Sequence, residues 1–113
     1  MEHVVEISIR NVGGHAVVDL HGNIDFFSIN NLKKVISSLI SEKKSSIVLD
    51  LRDVGYIDSA GLGLILTTYK VTARYKGKIG LLNVRDDIFI LLKLAAADSL
   101  IKMYKSETDL PQL

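Results

Sequence analysis

The fold of this 113-residue chain is decided by residues 47–63, which read IVLDLRDVGYIDSAGLG. The run Ile47–Leu51 is mostly apolar, partly β-branched and too short for a helix, so it predicts a central strand that is covered on both faces. Beyond Ser59, apolar residues recur with helical spacing at Leu62, Ile65, Leu66, Tyr69 and Ala73. Ser59 is therefore expected at the start of a helix that follows a strand.

Upstream of this stretch, the sequence predicts a hairpin and an amphipathic helix. Residues 4–10 alternate between apolar and polar, residues 11–14 read NVGG, and an extended pattern resumes over residues 16–20. Together these runs indicate an antiparallel hairpin. Apolar residues then recur with helical spacing at Ile29, Leu32, Val35, Ile36, Leu39 and Ile40. Asp25 and Ser28 can each cap the first turn of that helix, and the sequence leaves the choice open.

Downstream of the second helix, strand and helix continue to alternate. Residues 79–82 are expected to form a short strand, and Asp86–Asp87 to open a third helix, where the helix dipole favours acidic residues. Residues 100–104 are interpreted as a last extended segment, and residues 106–109 as the start of a final helical turn that Pro111 keeps short. The prediction is an α/β domain whose mixed sheet of about four to five strands opens with an antiparallel hairpin and carries packed helices.

Composition narrows the classes of protein to consider. The length predicts a single domain over residues 1–113, and 48% hydrophobic residues against 24% charged are enough for a folded core. A net charge of +1 without a basic cluster argues against nucleic acid as a partner. The absence of cysteine excludes disulfides and thiolate sites. With no secretory signal and no apolar run near ~20 residues, the expected location is cytoplasmic, without a membrane.

Two features at the strand-to-helix junction are open to two interpretations each. Ser59 lies beside unpaired first-turn amides and the positive end of the helix dipole, which suits an anion such as a phosphoryl group, but a serine there can also be a plain helix cap. Gly61 and Gly63 each cost a helix about 1 kcal/mol relative to alanine. They indicate either close packing of the helix on the sheet or a bare surface through which a partner can reach Ser59.

The residues around this junction resemble the anti-sigma-factor antagonist family of STAS domains. The resemblance rests on residues 48–51 (VLDL), 56–63 (YIDSAGLG) and 20–25 (LHGNID), and it extends over nearly the whole chain. It implies the STAS fold and a partner-switching cycle. In that cycle the unmodified antagonist binds an anti-sigma factor that is also a serine kinase, which frees a sigma factor, and phosphorylation ends the binding.

The resemblance also implies roles for individual residues. Ser59 matches the phosphoacceptor, Asp58 its acidic neighbour, and Asp25 the acidic loop residue near that serine, although Asp25 can equally be a helix cap. The kinase supplies ATP and magnesium and a serine phosphatase resets the protein, so this chain is expected to need no cofactor and not to be an enzyme. The expected partner-binding residues are Asp25, Phe26, Phe27, Asp58, Ser59, Ala60, Gly61 and Gly63.

The pair Phe26–Phe27 departs from the family, which has smaller and more polar residues after the acidic one. Aromatic residues in a loop are either buried in the core or contacts for a partner. We hypothesise that one of the two is exposed and contributes to the choice of partner.

Other functions fit the sequence less well. A nucleophilic Ser59 would need glycine at position 57, which is isoleucine, and a histidine after the serine. All three histidines, His3, His15 and His21, precede it and share no metal-ligand spacing. Residues 61–63 (GLG) lack the rest of a phosphate-binding loop. The remaining alternative is a STAS scaffold subunit of a stress-signalling or lipid-transport assembly without sigma-factor control, in which phosphorylation would remodel the assembly rather than release a kinase.

Overall fold

The computed structural model describes residues 4–113 as one five-stranded sheet with three α-helices. The strands are β1 (Glu6–Val12), β2 (His15–His21), β3 (Ser46–Asp53), β4 (Lys78–Leu82) and β5 (Lys102–Tyr104), and the helices are α1 (Ile29–Ser41), α2 (Ser59–Arg74) and α3 (Asp86–Leu94). The strands lie side by side in chain order, with β1 and β2 antiparallel and every other neighbouring pair parallel. The predicted mixed α/β architecture is confirmed.

The hairpin turns at two glycines. Val12 pairs with His15, and Gly13 and Gly14 between them have φ angles of +57° and +92°, a region that glycine adopts without steric penalty. Since the turn needs only these two residues, β1 continues to Val12. The strand begins at Glu6, two residues after the start of the predicted alternation.

The strand β3 lies at the centre of the sheet and is buried on both faces, as predicted. Alternate residues Ile47, Leu49 and Leu51 join a core to which all three helices contribute, through residues such as Leu32, Ile36, Ile65, Ile88 and Leu92. Val48 packs in a smaller cluster with Val17 and Leu82. The helices therefore cover one face of the sheet, since successive strand residues point to opposite faces.

The C-terminal segment covers part of the other face. Leu110 packs against the smaller cluster, and the amide of Leu113 donates a hydrogen bond to Gly13 O at 3.1 Å. Of the predicted extended segment 100–104, only residues 102–104 form a strand, because a 3-10 turn over Ala97–Ser99 precedes them. The last predicted turn is a 3-10 turn over Glu107–Asp109. Within residues 4–113, every helix is too short or too polar to cross a membrane.

A short parallel bridge beyond the ends of β2 and β3 positions the site. Ile24 pairs with Ile57, both buried, and the Ile24 amide donates to Tyr56 O at 3.0 Å while the Asp58 amide donates to Ile24 O at 3.2 Å. The loop that follows Ile24 and the start of α2 therefore lie next to each other.

Candidate functional site

Asp58 connects the start of α2 to the neighbouring loop. It is the N-cap residue of α2, and its Oδ1 accepts a hydrogen bond from the Gly61 amide at 3.0 Å. Its Oδ2 accepts one from the Phe26 amide at 2.9 Å. Hydrogen bonds to the charged form, above all the one from Gly61, lower the pKa of the Asp58 carboxyl below its usual value. Asp58 is therefore an anion at neutral pH with both oxygens engaged.

Ser59 is the first residue of α2, and its side chain is exposed. The interpretation of Ser59 as the helix cap is wrong, because Asp58 occupies that position and makes the capping bond. The hydroxyl forms no hydrogen bond with any residue of the part of the chain that the structure describes. It stands at the positive end of a 16-residue helix, where an added anion is favoured.

Gly61 and Gly63 have different surroundings: the close-packing interpretation holds for Gly61, and Gly63 has the open surface that access by a partner would need. A Cβ on Gly61 would lie 2.6 Å from Ile24 O and 2.8 Å from Ile57 Cγ2, which are distances that real Cβ atoms do not adopt. A Cβ on Gly63 would meet no atom within 4 Å. Gly61 therefore allows the helix to approach the Ile24–Ile57 bridge, and Gly63 leaves the outer surface of the helix bare.

Asp25 and Ser28 share the task of shaping the loop. Asp25 Oδ1 accepts hydrogen bonds from the amides of Phe27 and Ser28, both at 3.0 Å. Ser28 occupies the N-cap position of α1 but makes no capping bond with its side chain. Its Oγ donates instead to Asn23 O at 2.7 Å and accepts from the Asp25 amide at 3.0 Å. The Asp25 carboxylate thus has a structural task next to the candidate site.

Phe26 and Phe27 are both exposed, to 70% and 68% of their surface. Their rings form an edge-to-face pair with centroids 5.5 Å apart and an interplanar angle of 84°. The prediction that one of them is exposed is confirmed and holds for both. Neither ring fills the core, so both are available to contact a partner. Their contribution to the choice of partner stays a prediction.

The two rings border a groove of about 630 Å³ between α1 and α2. The other residues that line it are Ile29, Asn30, Lys33, Ala60, Gly63, Leu64 and Thr67. Lys33 is the one charged side chain among these lining residues. Sequence reasoning missed Asn30, Lys33, Leu64 and Thr67. Lys33, Leu64 and Thr67 follow Ile29, Ala60 and Gly63 by four residues each, and Asn30 precedes Lys33 by three, so helical spacing indicates the shared faces.

The histidines lie in other parts of the structure. His15 is buried, with Nδ1 2.6 Å from Ser46 Oγ and Nε2 2.5 Å from the carbonyl oxygen of Pro111. His21 Nδ1 lies 3.0 Å from Asp53 Oδ2. Among residues 4–113, no group of histidine and acidic residues has a geometry that could hold a metal ion. His3 lies outside the described residues.

Comparison with known proteins gives a consistent result. Residues 6–110 match the family model of the STAS domain. The anti-sigma F factor antagonist of Paenibacillus polymyxa is 24% identical over 106 residues, which cover 93% of this chain and 91% of that protein.

Solved structures show the same fold. An anti-sigma factor antagonist from Mycobacterium paratuberculosis aligns with a TM-score of 0.84 at 22% identity, covering 93% of this chain and 89% of that one. The phosphorylated form of SpoIIAA, a cell fate determinant of Bacillus, aligns with a TM-score of 0.72 at 18% identity, covering 91% of this chain and 95% of that one. Because the family model spans the sheet and all three helices, the chain belongs to the STAS domain family.

Proposed function

We propose that this chain, as a single domain over residues 1–113, is an anti-sigma-factor antagonist controlled by phosphorylation of Ser59. Its unmodified form binds an anti-sigma factor that has serine kinase activity, and this binding frees a sigma factor. The proposal rests on the exposed Ser59 hydroxyl at the N-terminus of α2, which forms no hydrogen bond within residues 4–113 and lies beside the open surface at Gly63. The names of the relatives and the phosphorylated form of a structurally similar protein support it.

The phosphoryl group would come from the partner. The kinase supplies ATP and magnesium, the γ-phosphoryl group passes to Ser59 Oγ, and ADP and the hydroxyl proton leave. This chain is then a protein substrate and a binding module rather than an enzyme, needs no cofactor of its own and acts in the cytoplasm. A serine phosphatase removes the phosphate and restores binding.

Phosphorylation opposes binding through charge. A phosphoserine carries about −1.5 to −2 charges at neutral pH and lies directly after Asp58, whose carboxyl is already anionic. Concentrating this much negative charge in an interface costs free energy unless cationic groups of the partner meet it. A loss of roughly 3 kcal/mol weakens binding more than a hundredfold.

The surface that the partner covers consists of the loop and the first turns of α2. We assign to it Asp25, Phe26, Phe27, Asp58, Ser59, Ala60, Gly61 and Gly63. Phe26 and Phe27 supply exposed aromatic area, which is enriched at the energetic centre of interfaces. Gly63 gives the partner's backbone access to the helix surface. Gly61 lies beneath this surface and lets α2 approach Ile24. Asp25 accepts hydrogen bonds from the loop amides and so keeps the loop in place.

Phosphotransfer to Ser59 is the direct test of this proposal. The protein is incubated with purified candidate anti-sigma kinases and magnesium ATP, and the phosphate is mapped by mass spectrometry, with Ser59→Ala as the control. We expect one phosphate on Ser59 with a cognate kinase and none on the variant. If no cognate kinase modifies Ser59 and Ser59→Asp binds as well as the unmodified protein, the switch is wrong and the scaffold alternative takes its place.

A further inference from the structure

A single carboxylate holds two elements of the candidate site together. Asp58 accepts from Gly61 on α2 with one oxygen and from Phe26 on the loop with the other. The backbone bridge between Ile24 and Ile57 lies just before this point and does not extend to Phe26. The Asp58 carboxylate thus fixes the backbone of Phe26 relative to α2, and with it the point from which the Phe26 side chain extends.

A phosphate on Ser59 would compete with this carboxylate. The first-turn amides of a helix attract anions, and the same few amides serve every anion at that end. Asp58 already uses the Gly61 amide, and its lowered pKa has that hydrogen bond as its main cause. A dianion on the next residue both repels the Asp58 carboxylate and offers the amides a more highly charged acceptor.

We propose that Asp58 is a positioning residue for the Phe26–Phe27 pair and that phosphate on Ser59 breaks its hydrogen bond to the Phe26 amide. This inference rests on the proposed function only in taking Ser59 as the phosphoacceptor. Its consequence is that phosphorylation changes the apolar part of the partner surface together with the charge. The Phe26 ring then loses its fixed place at the border of the groove that Lys33 and Leu64 also line.

Amide hydrogen exchange on the free protein tests the inference without any partner. Phosphoserine is encoded at position 59 during translation, and exchange is followed by NMR at the amides of Phe26 and Ile24. We expect the Phe26 amide to exchange about tenfold faster in the phosphorylated protein, as the loss of a hydrogen bond to a charged acceptor requires. The Ile24 amide, which donates to Tyr56 O at 3.0 Å, should keep its rate and report that the bridge is intact.

The variant Asp58→Asn separates a positioning role from a general structural one. Asparagine caps a helix about as well as aspartate but offers one acceptor oxygen instead of two. In this variant we expect fast Phe26 exchange already without phosphate, and no further change when phosphoserine is present. Unchanged Phe26 exchange on phosphorylation, or a phosphate effect of equal size in Asp58→Asn, would overturn the inference.

The failure of this inference can be told apart from the failure of the proposed function. Encoded phosphoserine needs no kinase, so the exchange measurement has a result even if no kinase modifies Ser59. Conversely, a kinase could phosphorylate Ser59 while the exchange rate of the Phe26 amide stays unchanged. That result would support the phosphorylation switch but show that Asp58 has no part in it.

Discussion

The inner and outer sides of the first turns of α2 differ in how much space they leave for an added side chain. On the inner side, Gly61 is in contact with the Ile24–Ile57 bridge, and there is no room for a methyl group. On the outer side, Ser59 is exposed and Gly63 has open space around it. The two sides are separated by one residue in the chain, yet one is closed by packing and the other is open. Substitutions on the two sides should therefore have separable effects on stability and on partner binding.

The largest effect on stability should come from Gly61→Ala. Its methyl group would meet Ile24 O at 2.6 Å, a backbone atom that cannot rotate away. We expect a loss of about 2 kcal/mol in the free energy of unfolding, typical of an overpacked site. Urea denaturation measures it, and Gly63→Ala is the matched control. Equal stability of the two variants would remove the distinction between the inner and the outer side.

Phe26→Ala should reduce partner affinity without affecting the fold. The ring is 70% exposed, so its removal leaves no cavity in the core. We expect binding to a kinase that modifies Ser59 to weaken about tenfold, since aromatic anchors at interfaces contribute more than 1 kcal/mol each. Titration calorimetry measures the affinity. Phe89→Ala, which removes the one phenylalanine outside the loop, is the control and should bind normally. Equal losses for both variants would argue against a special role of the loop.

Gly63→Ala should stabilise the fold slightly. With nothing within 4 Å of the new methyl group, only the better helix propensity of alanine acts, which is about 1 kcal/mol. Thermal unfolding checks the direction of the change. A destabilised Gly63→Ala would mean that the outer side also has a packing role.

The smallest expected effect is a loss of stability at low pH, when Asp58 becomes protonated. The pKa of the Asp58 carboxyl is lower in the folded protein than its usual value, so the carboxylate stabilises the fold at neutral pH. That contribution is lost as the pH falls below the ordinary aspartate pKa towards the lowered one. The free energy of unfolding at pH 7 should therefore be higher for the unmodified protein than for Asp58→Asn. The two free energies should converge as the pH falls. Parallel curves down to low pH would show that Asp58 gives no such stabilisation.

The sequence predicted most of the fold because its signals are local. Two glycines define the hairpin, the apolar spacing defines α1, and the short apolar run defines β3. The site was predicted less completely. Whether Asp58 or Ser59 caps α2 depends on backbone geometry, since both residue types favour that position. The difference between Gly61 and Gly63 depends on where Ile24 lies, 37 and 39 positions earlier in the chain.

Interactions between segments that are far apart in the chain could not be predicted from the sequence either. Nothing in the spacing of Phe26 and Asp58 indicates the hydrogen bond that joins them, because it forms only once Ile24 pairs with Ile57. The groove depends on the contact between α1 and α2, which are separated in the chain by β3. The exposure of both phenylalanines follows from the same loop geometry, which composition alone does not define.

We propose above that phosphate on Ser59 ends partner binding at an exposed surface while the fold stays intact. The most direct measurement compares the affinity of a cognate anti-sigma kinase for the unmodified protein and for the protein with encoded phosphoserine at position 59, together with both melting temperatures. We predict an affinity about a hundredfold or more lower for the phosphorylated form, equal to roughly 3 kcal/mol, with little change in melting temperature. Equal affinities, or weaker binding that coincides with loss of the folded state, would contradict it.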